Sequence, residues 1–142
     1  MTRTATGGTS ILVLALMSLS SMTSAHTSAE PRTTPHPEPR VIVTVAAMKG
    51  PHDRAAVQRS AREAWGPIVR CYKELGRGER GKLTVRLEIS ATGKTIGARR
   101  LGSTLNDDVS ACVTTALRNK GMPKAGAGSS ATLEVQLAPG DE

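Results

Sequence analysis

The sequence predicts an α+β domain: a small antiparallel sheet of three or four strands, two helices packed on one face, and one disulfide. Three observations predict it. Leu83, Val85, Leu87 and Ile89 alternate without a break with Lys82, Thr84, Arg86 and Glu88, the period of a strand with one buried face and one wet face. Two stretches flanking this ribbon repeat apolar residues at helical spacing. Each of those stretches carries one of the two cysteines, Cys71 and Cys112.

The N-terminus comes first in chain order. Met1-Thr2-Arg3 is short and positive, Ile11 to Met17 is strongly apolar, and Thr23-Ser24-Ala25 is a small-x-small sequence. This is the three-part pattern of a secretory signal peptide over residues 1–25. The apolar run is well short of the roughly 20 residues that a membrane span needs. Cleavage near Ala25 would leave a periplasmic or secreted chain with no stable membrane span. The other reading is an uncleaved anchor in the inner membrane.

Residues 26–40 are proline-rich and lack an apolar cluster, so they read as an extended linker. His26 and His36 fall there, and solvated histidines explain both better than a metal site does. Val41 to Ala47 is β-branched and can form a first strand, although nothing in the sequence says whether it joins the sheet. Asp53 can cap the helix that follows. From Arg54 to Leu75 the apolar stripe includes Val57, Ala61, Trp65, Ile68, Cys71 and Tyr72. Pro67 should kink or restart this helix, because it lacks an N–H and its ring clashes with the preceding turn. Trp65 is expected to anchor the core, a ligand platform being the other reading. Gly76 is a natural stop.

Ala91-Thr92-Gly93-Lys94 supplies the hairpin turn, with Gly93 free to take positive φ. Thr95 to Leu101 returns as the second strand. Asn106 should cap the next helix, and Asp107 and Asp108 suit its positive end. Capping accounts for both acids without catalysis. Lys124 to Ser130 is a loop, Thr132 to Leu137 a last strand, and residues 139–142 a polar tail. The folded domain is thus expected over residues 41–138.

Composition narrows the function. The net charge is +7 and the pI about 10.1, which favours anionic partners. Export makes nucleic acid an unsuitable one. Two cysteines in an oxidising compartment are most simply one disulfide. They lie too far apart, with no suitably spaced His or acid, to form a zinc site or a redox pair. No cofactor or metal is expected. No Ser/His/Asp or Cys/His arrangement is visible either, since His26, His36 and His52 all precede the expected core. The chain reads as non-enzymatic.

Several residues together resemble a known family. Cys71-Tyr72, Gly81 to Val85, Ile89 with Gly93-Lys94, Ser103-Thr104-Leu105, and Val109 with Cys112-Val113 are similar to the AgmX/PglI C-terminal domain. That family is itself similar to the C-terminal domain of TonB. The resemblance covers roughly residues 55–137. It implies a TonB C-terminal-like fold in a periplasmic interaction module of a Gram-negative envelope, with myxobacteria the usual setting. It also implies an envelope protein as partner, bound by strand addition to an exposed sheet edge. The last strand is the candidate edge: Thr132, Leu133, Glu134, Val135, Gln136 and Leu137. Its alternative is a central place in the sheet. A second functional class is a basic binder of lipopolysaccharide or cell-wall polymer, using Arg86, Lys94, Arg99 and Arg100 near the hairpin. A plain solvated face is the alternative there. Partner identity and oligomeric state are not legible.

Overall fold

The computed structural model describes residues 37–140. The expected signal peptide, most of the proline-rich linker, His26 and His36 lie outside the described residues. The elements run β1 (Arg40–Lys49), α1 (Arg54–Arg62), α2 (Trp65–Leu75), β2 (Gly81–Ile89), β3 (Thr95–Ser103), α3 (Asp107–Arg118) and β4 (Ser129–Ala138). All strand pairings are antiparallel, in the order β1-β4-β2-β3. The α+β class with one disulfide is therefore observed, with four strands and three helical segments.

The strict alternation in β2 places Leu83, Val85, Leu87 and Ile89 in the core, and Leu133, Val135 and Leu137 of β4 lie beside them. Val57, Ile68, Val109, Val113 and Leu117 reach the same cluster from the helices. Each such aliphatic side chain contributes about 1.5–3 kcal/mol when fully buried. Tyr72 is the one aromatic residue in this core. The opposite face of the sheet is polar, with Lys82, Glu88 and Gln136 exposed and Thr84, Arg86 and Glu134 half-buried.

The last strand corrects an expectation. Thr132, Leu133, Glu134, Val135, Gln136 and Leu137 do not form an edge: β4 pairs with β1 on one side and with β2 on the other. The β-branched run from Val41 joins the sheet and supplies the outer strand instead. The reason is burial. A strand with Ala131, Leu133 and Val135 all at 0% exposure needs a neighbour on both sides to shield its apolar row. β4 also begins earlier than expected, at Ser129, and β1 already at Arg40.

The long helical stripe splits into α1 and α2. Pro67 sits in the first turn of α2, where its missing N–H removes no helical bond. In a continuous helix it would have left the Glu63 carbonyl unpaired, so the break falls at Glu63–Ala64, ahead of the proline. Trp65 becomes the first residue of α2 and is 45% exposed. This overturns its expected role as core anchor. Side chains lean toward a helix N-terminus, and at Trp65 no earlier turn of α2 exists for the ring to cover.

The caps behave as their residue types suggest. Asp53 Oδ2 accepts the Ala56 N–H at 2.9 Å, and Asn106 Oδ1 accepts the Val109 N–H at 2.9 Å. Asn106 Nδ2 also donates to the Leu75 carbonyl at 3.0 Å and to Glu79 Oε1 at 2.7 Å. One side chain thereby ties the end of α2, the following loop and the start of α3. Gly76 ends α2 with φ −79°, while Arg77 and Gly78 take the positive φ values of 48° and 74°. Glycine is needed at position 76 because a Cβ there would lie 2.6 Å from the Tyr72 ring.

The hairpin turn forms around Gly93 at φ 86°. Its carbonyl accepts the Met122 N–H at 2.8 Å, so the loop after α3 docks on the turn. Cys71 in α2 and Cys112 in α3 are bonded, with Cα atoms 5.8 Å apart. His52 departs from its expected place ahead of the core. It is 5% exposed, and Ser129 at the start of β4 covers it.

Candidate interaction edges

A four-stranded sheet has two outer strands, here β1 and β3. Unpaired N–H and C=O groups along an outer strand are a template for another chain unless something covers them. The two edges are treated differently.

The outer side of β1 is closed by side chains from α1. Gln58 Oε1 accepts the Val45 N–H at 2.6 Å, and Gln58 Nε2 donates to the Val43 carbonyl at 2.5 Å. One carboxamide thus takes the place that a peptide group of a fifth strand would occupy. Arg54 adds bonds to the carbonyls of Val45 at 2.5 Å and Ala46 at 3.4 Å. Gln58 and Arg54 lie one helical turn apart, so the same face of α1 presents both.

β3 has no such cover. The Thr104 N–H bonds to the Lys82 carbonyl at 2.9 Å, so the backbone of Lys82 points toward β3. Alternation along β2 then turns Arg86 toward Arg99, and turns the backbones of Ala98 and Arg100, opposite Leu87 and Val85, outward. Among the described residues, no hydrogen bond reaches the outward groups of Ala98 or Arg100 from a helix, loop or side chain. β3 is also the most exposed strand, with Ile96 64% and Leu101 47% exposed. These two residues are the extra ones at its two register shifts. Between them, Gly97 to Arg100 forms a regular stretch.

The four cations proposed as a basic patch are not assembled into one surface. Arg86 and Arg99 lie opposite each other on the open face. Arg86 donates to Ser130 Oγ at 2.9 Å and pairs with Glu88 at 3.5 Å. The Arg99 side chain makes no hydrogen bond or ion pair with a described residue. Arg100 points to the helix side and bonds Asp107 at 2.9 Å. Lys94 sits in the hairpin turn near the end of α3, in a cleft it shares with Arg118 and Ile96.

No group of three or more His, Cys, Asp or Glu suited to a metal occurs among the described residues. No helix there is long and apolar enough to cross a membrane. Among the described residues, two carboxyls are held below their ordinary range. Glu63 is lowered by its hydrogen bond and charge contact with Lys120 at 2.7 Å. Glu134 is lowered chiefly by the Gln136 amide. Both contacts lie on polar surface and neither marks a reaction centre. The open β3 edge was missed in the sequence because it depends on strand order. The weak apolar content of Gly97 to Arg100, where glycine and two arginines interrupt the alternation, is the one local hint.

Comparison with known proteins is sparse. No family model matches the chain, and no curated protein does either. Among solved structures, the chain is similar to the TonB C-terminal domain of Helicobacter pylori. The identity is 14% and the TM-score 0.42, over 66% of this chain and all of that one.

Proposed function

We propose that this chain is a non-enzymatic interaction module of a bacterial envelope, and that it takes an extended partner segment onto the outer edge of β3. One observation carries the reading: the fold closes the β1 edge with Gln58 and Arg54 and leaves the β3 edge open. Protection of one edge and not the other is what strand addition requires. The sequence resemblance to the AgmX/PglI C-terminal domain supports the same class. The Cys71–Cys112 bond and the signal-like residues 1–25 support a periplasmic setting. An envelope protein is the fitting partner.

The test is site-specific photo-crosslinking in cells producing the full chain. A crosslinker at Ile96 should yield partner adducts, and one at Ala46, beside the closed edge, should not. Ala98→Pro removes an outward N–H that the sheet does not use, which a strand edge tolerates. It should abolish the Ile96 adducts. Equal adducts from Ala46, or adducts that survive the proline, would sink the proposal. The intact mass of the exported protein supplies the compartment. A chain starting at His26, with thiols alkylated only after reduction, is the expected form.

A further inference from the structure

We infer that the β3 edge selects an extended acidic segment and discriminates against a second copy of itself. The inference rests on the strand-addition reading above and specifies the chemistry of its partner.

Charge comes first. From Lys94 to Ser103 the hairpin turn and β3 carry Lys94, Arg99 and Arg100 and no acid. The Arg99 side chain is exposed and makes no hydrogen bond or ion pair with a described residue. A strand laid beside Gly97 to Arg100 would send alternate side chains to the open face, next to Arg99. There a cleft of about 350 Å³ opens between Arg86, Glu88, Gly97 and Arg99. Gly97 keeps it open because it brings no side chain. The one acid at this cleft, Glu88, is already held by Arg86 at 3.5 Å. On the helix face, Arg100 is shared with Asp107, which is 92% exposed and can be displaced by a partner carboxylate. Acidic residues at alternate positions share one face of the added strand, so they would meet Arg99 on the open face or, one residue out of register, Arg100 on the helix face.

The same residues oppose self-pairing. An antiparallel β3–β3 contact centred on this stretch would bring two Arg99–Arg100 pairs beside each other. Like charges across strands are destabilising, and charge on an edge is a common guard against copying. The edge thus discriminates by attraction and by repulsion together. A peptide suits the site better than a lipid headgroup or a polysaccharide, because the outward N–H and C=O groups of Ala98 and Arg100 need a partner in register. The bulges at Ile96 and Leu101 limit that register to about four residues.

The test uses the full exported chain, disulfide intact, and three blocked eight-residue peptides. They alternate valine with glutamate, glutamine or lysine. The glutamate peptide should bind about fivefold more tightly than the glutamine peptide at low salt. The difference should vanish near 1 M salt. Arg99→Glu should reverse the order of the glutamate and lysine peptides, and Ala98→Pro should abolish binding of all three. Equal binding of the glutamate and glutamine peptides overturns the acidic preference while leaving strand addition standing. No binding by any peptide, or binding that survives Ala98→Pro, overturns both. A dimer of the free protein that Ala98→Pro converts to monomer overturns the discrimination against a second copy.

Discussion

The Nδ1 of His52 lies 2.6 Å from the hydroxyl of Ser129, and the same hydroxyl accepts the His52 backbone N–H at 3.2 Å. One oxygen thus holds both the backbone and the ring of the residue that leads into α1. The ring's Nε2 is buried with no partner among the described residues, so Ser129 is the ring's hydrogen-bond anchor. Ser129→Ala should destabilise the protein by about 1–3 kcal/mol, the cost of stranding buried polar groups. Urea unfolding should show a lower midpoint at unchanged slope. An unaltered midpoint would mean that water replaces the hydroxyl without loss.

Cys71 and Cys112 stand 41 positions apart. Closing a loop of that length lowers the entropy of the unfolded chain by an amount worth about 4 kcal/mol on the chain-entropy model. The paired substitution Cys71→Ser with Cys112→Ser should lose stability of that order. Chemical unfolding of the variant and of the oxidised parent measures it. A loss under about 1 kcal/mol would show that α2 and α3 pack as firmly without the bond.

Two glycines should respond in opposite directions to alanine. A Cβ on Gly66, inside α2, would meet nothing within 4 Å, so Gly66→Ala should stabilise by about 0.5–1 kcal/mol. Gly93 has φ 86°, and a Cβ there would run into the Met122 carbonyl. Gly93→Ala should destabilise by more than Gly66→Ala gains, and should loosen the loop docked on the hairpin. Thermal melting of the two single variants tests both signs.

Tyr72 is the chain's one tyrosine. Burial raises its phenol above the ordinary 10.0, and the charge of Glu79 raises it further. The hydroxyl donates to the Glu79 carbonyl at 2.5 Å. A group whose folded pKa is raised contributes stability that is complete below its unfolded value and is lost as pH rises through the folded one. Stability from this source should therefore hold below pH 10 and decline above it. Ultraviolet titration of the folded protein should give a midpoint above that of the urea-unfolded chain. Coincident midpoints would contradict the burial argument.

Much of this fold was legible in local sequence. The alternation of Lys82 to Ile89, the caps at Asp53 and Asn106 and the turn at Gly93 depend on neighbours a few residues away, and the residue types express them directly. The cysteine pairing was legible because a chain with two thiols and a signal-like N-terminus leaves one simple choice. Strand order was not. Whether Val41 to Lys49 or Ser129 to Ala138 lies outside depends on contacts across the whole chain, and both runs read locally as strands. Trp65 was misplaced because a restart expected at Gly66–Pro67 leaves it in the first helix, whereas the break falls at Glu63–Ala64 and makes Trp65 the first residue of α2. His52 was misplaced for a related reason: the residue that buries it, Ser129, is 77 positions away. The cations of the candidate patch were found as residues, but the pleat of β3 sends Arg99 and Arg100 to opposite faces.

The Gln58 carboxamide on β1 also fixes how many chains this sheet can join. A sheet open on both sides has two hands and can be a link in a filament. With Val43 and Val45 already held by α1, this sheet has one hand. Copies of this chain that met edge to edge would do so only through β3, which closes a pair and builds no filament.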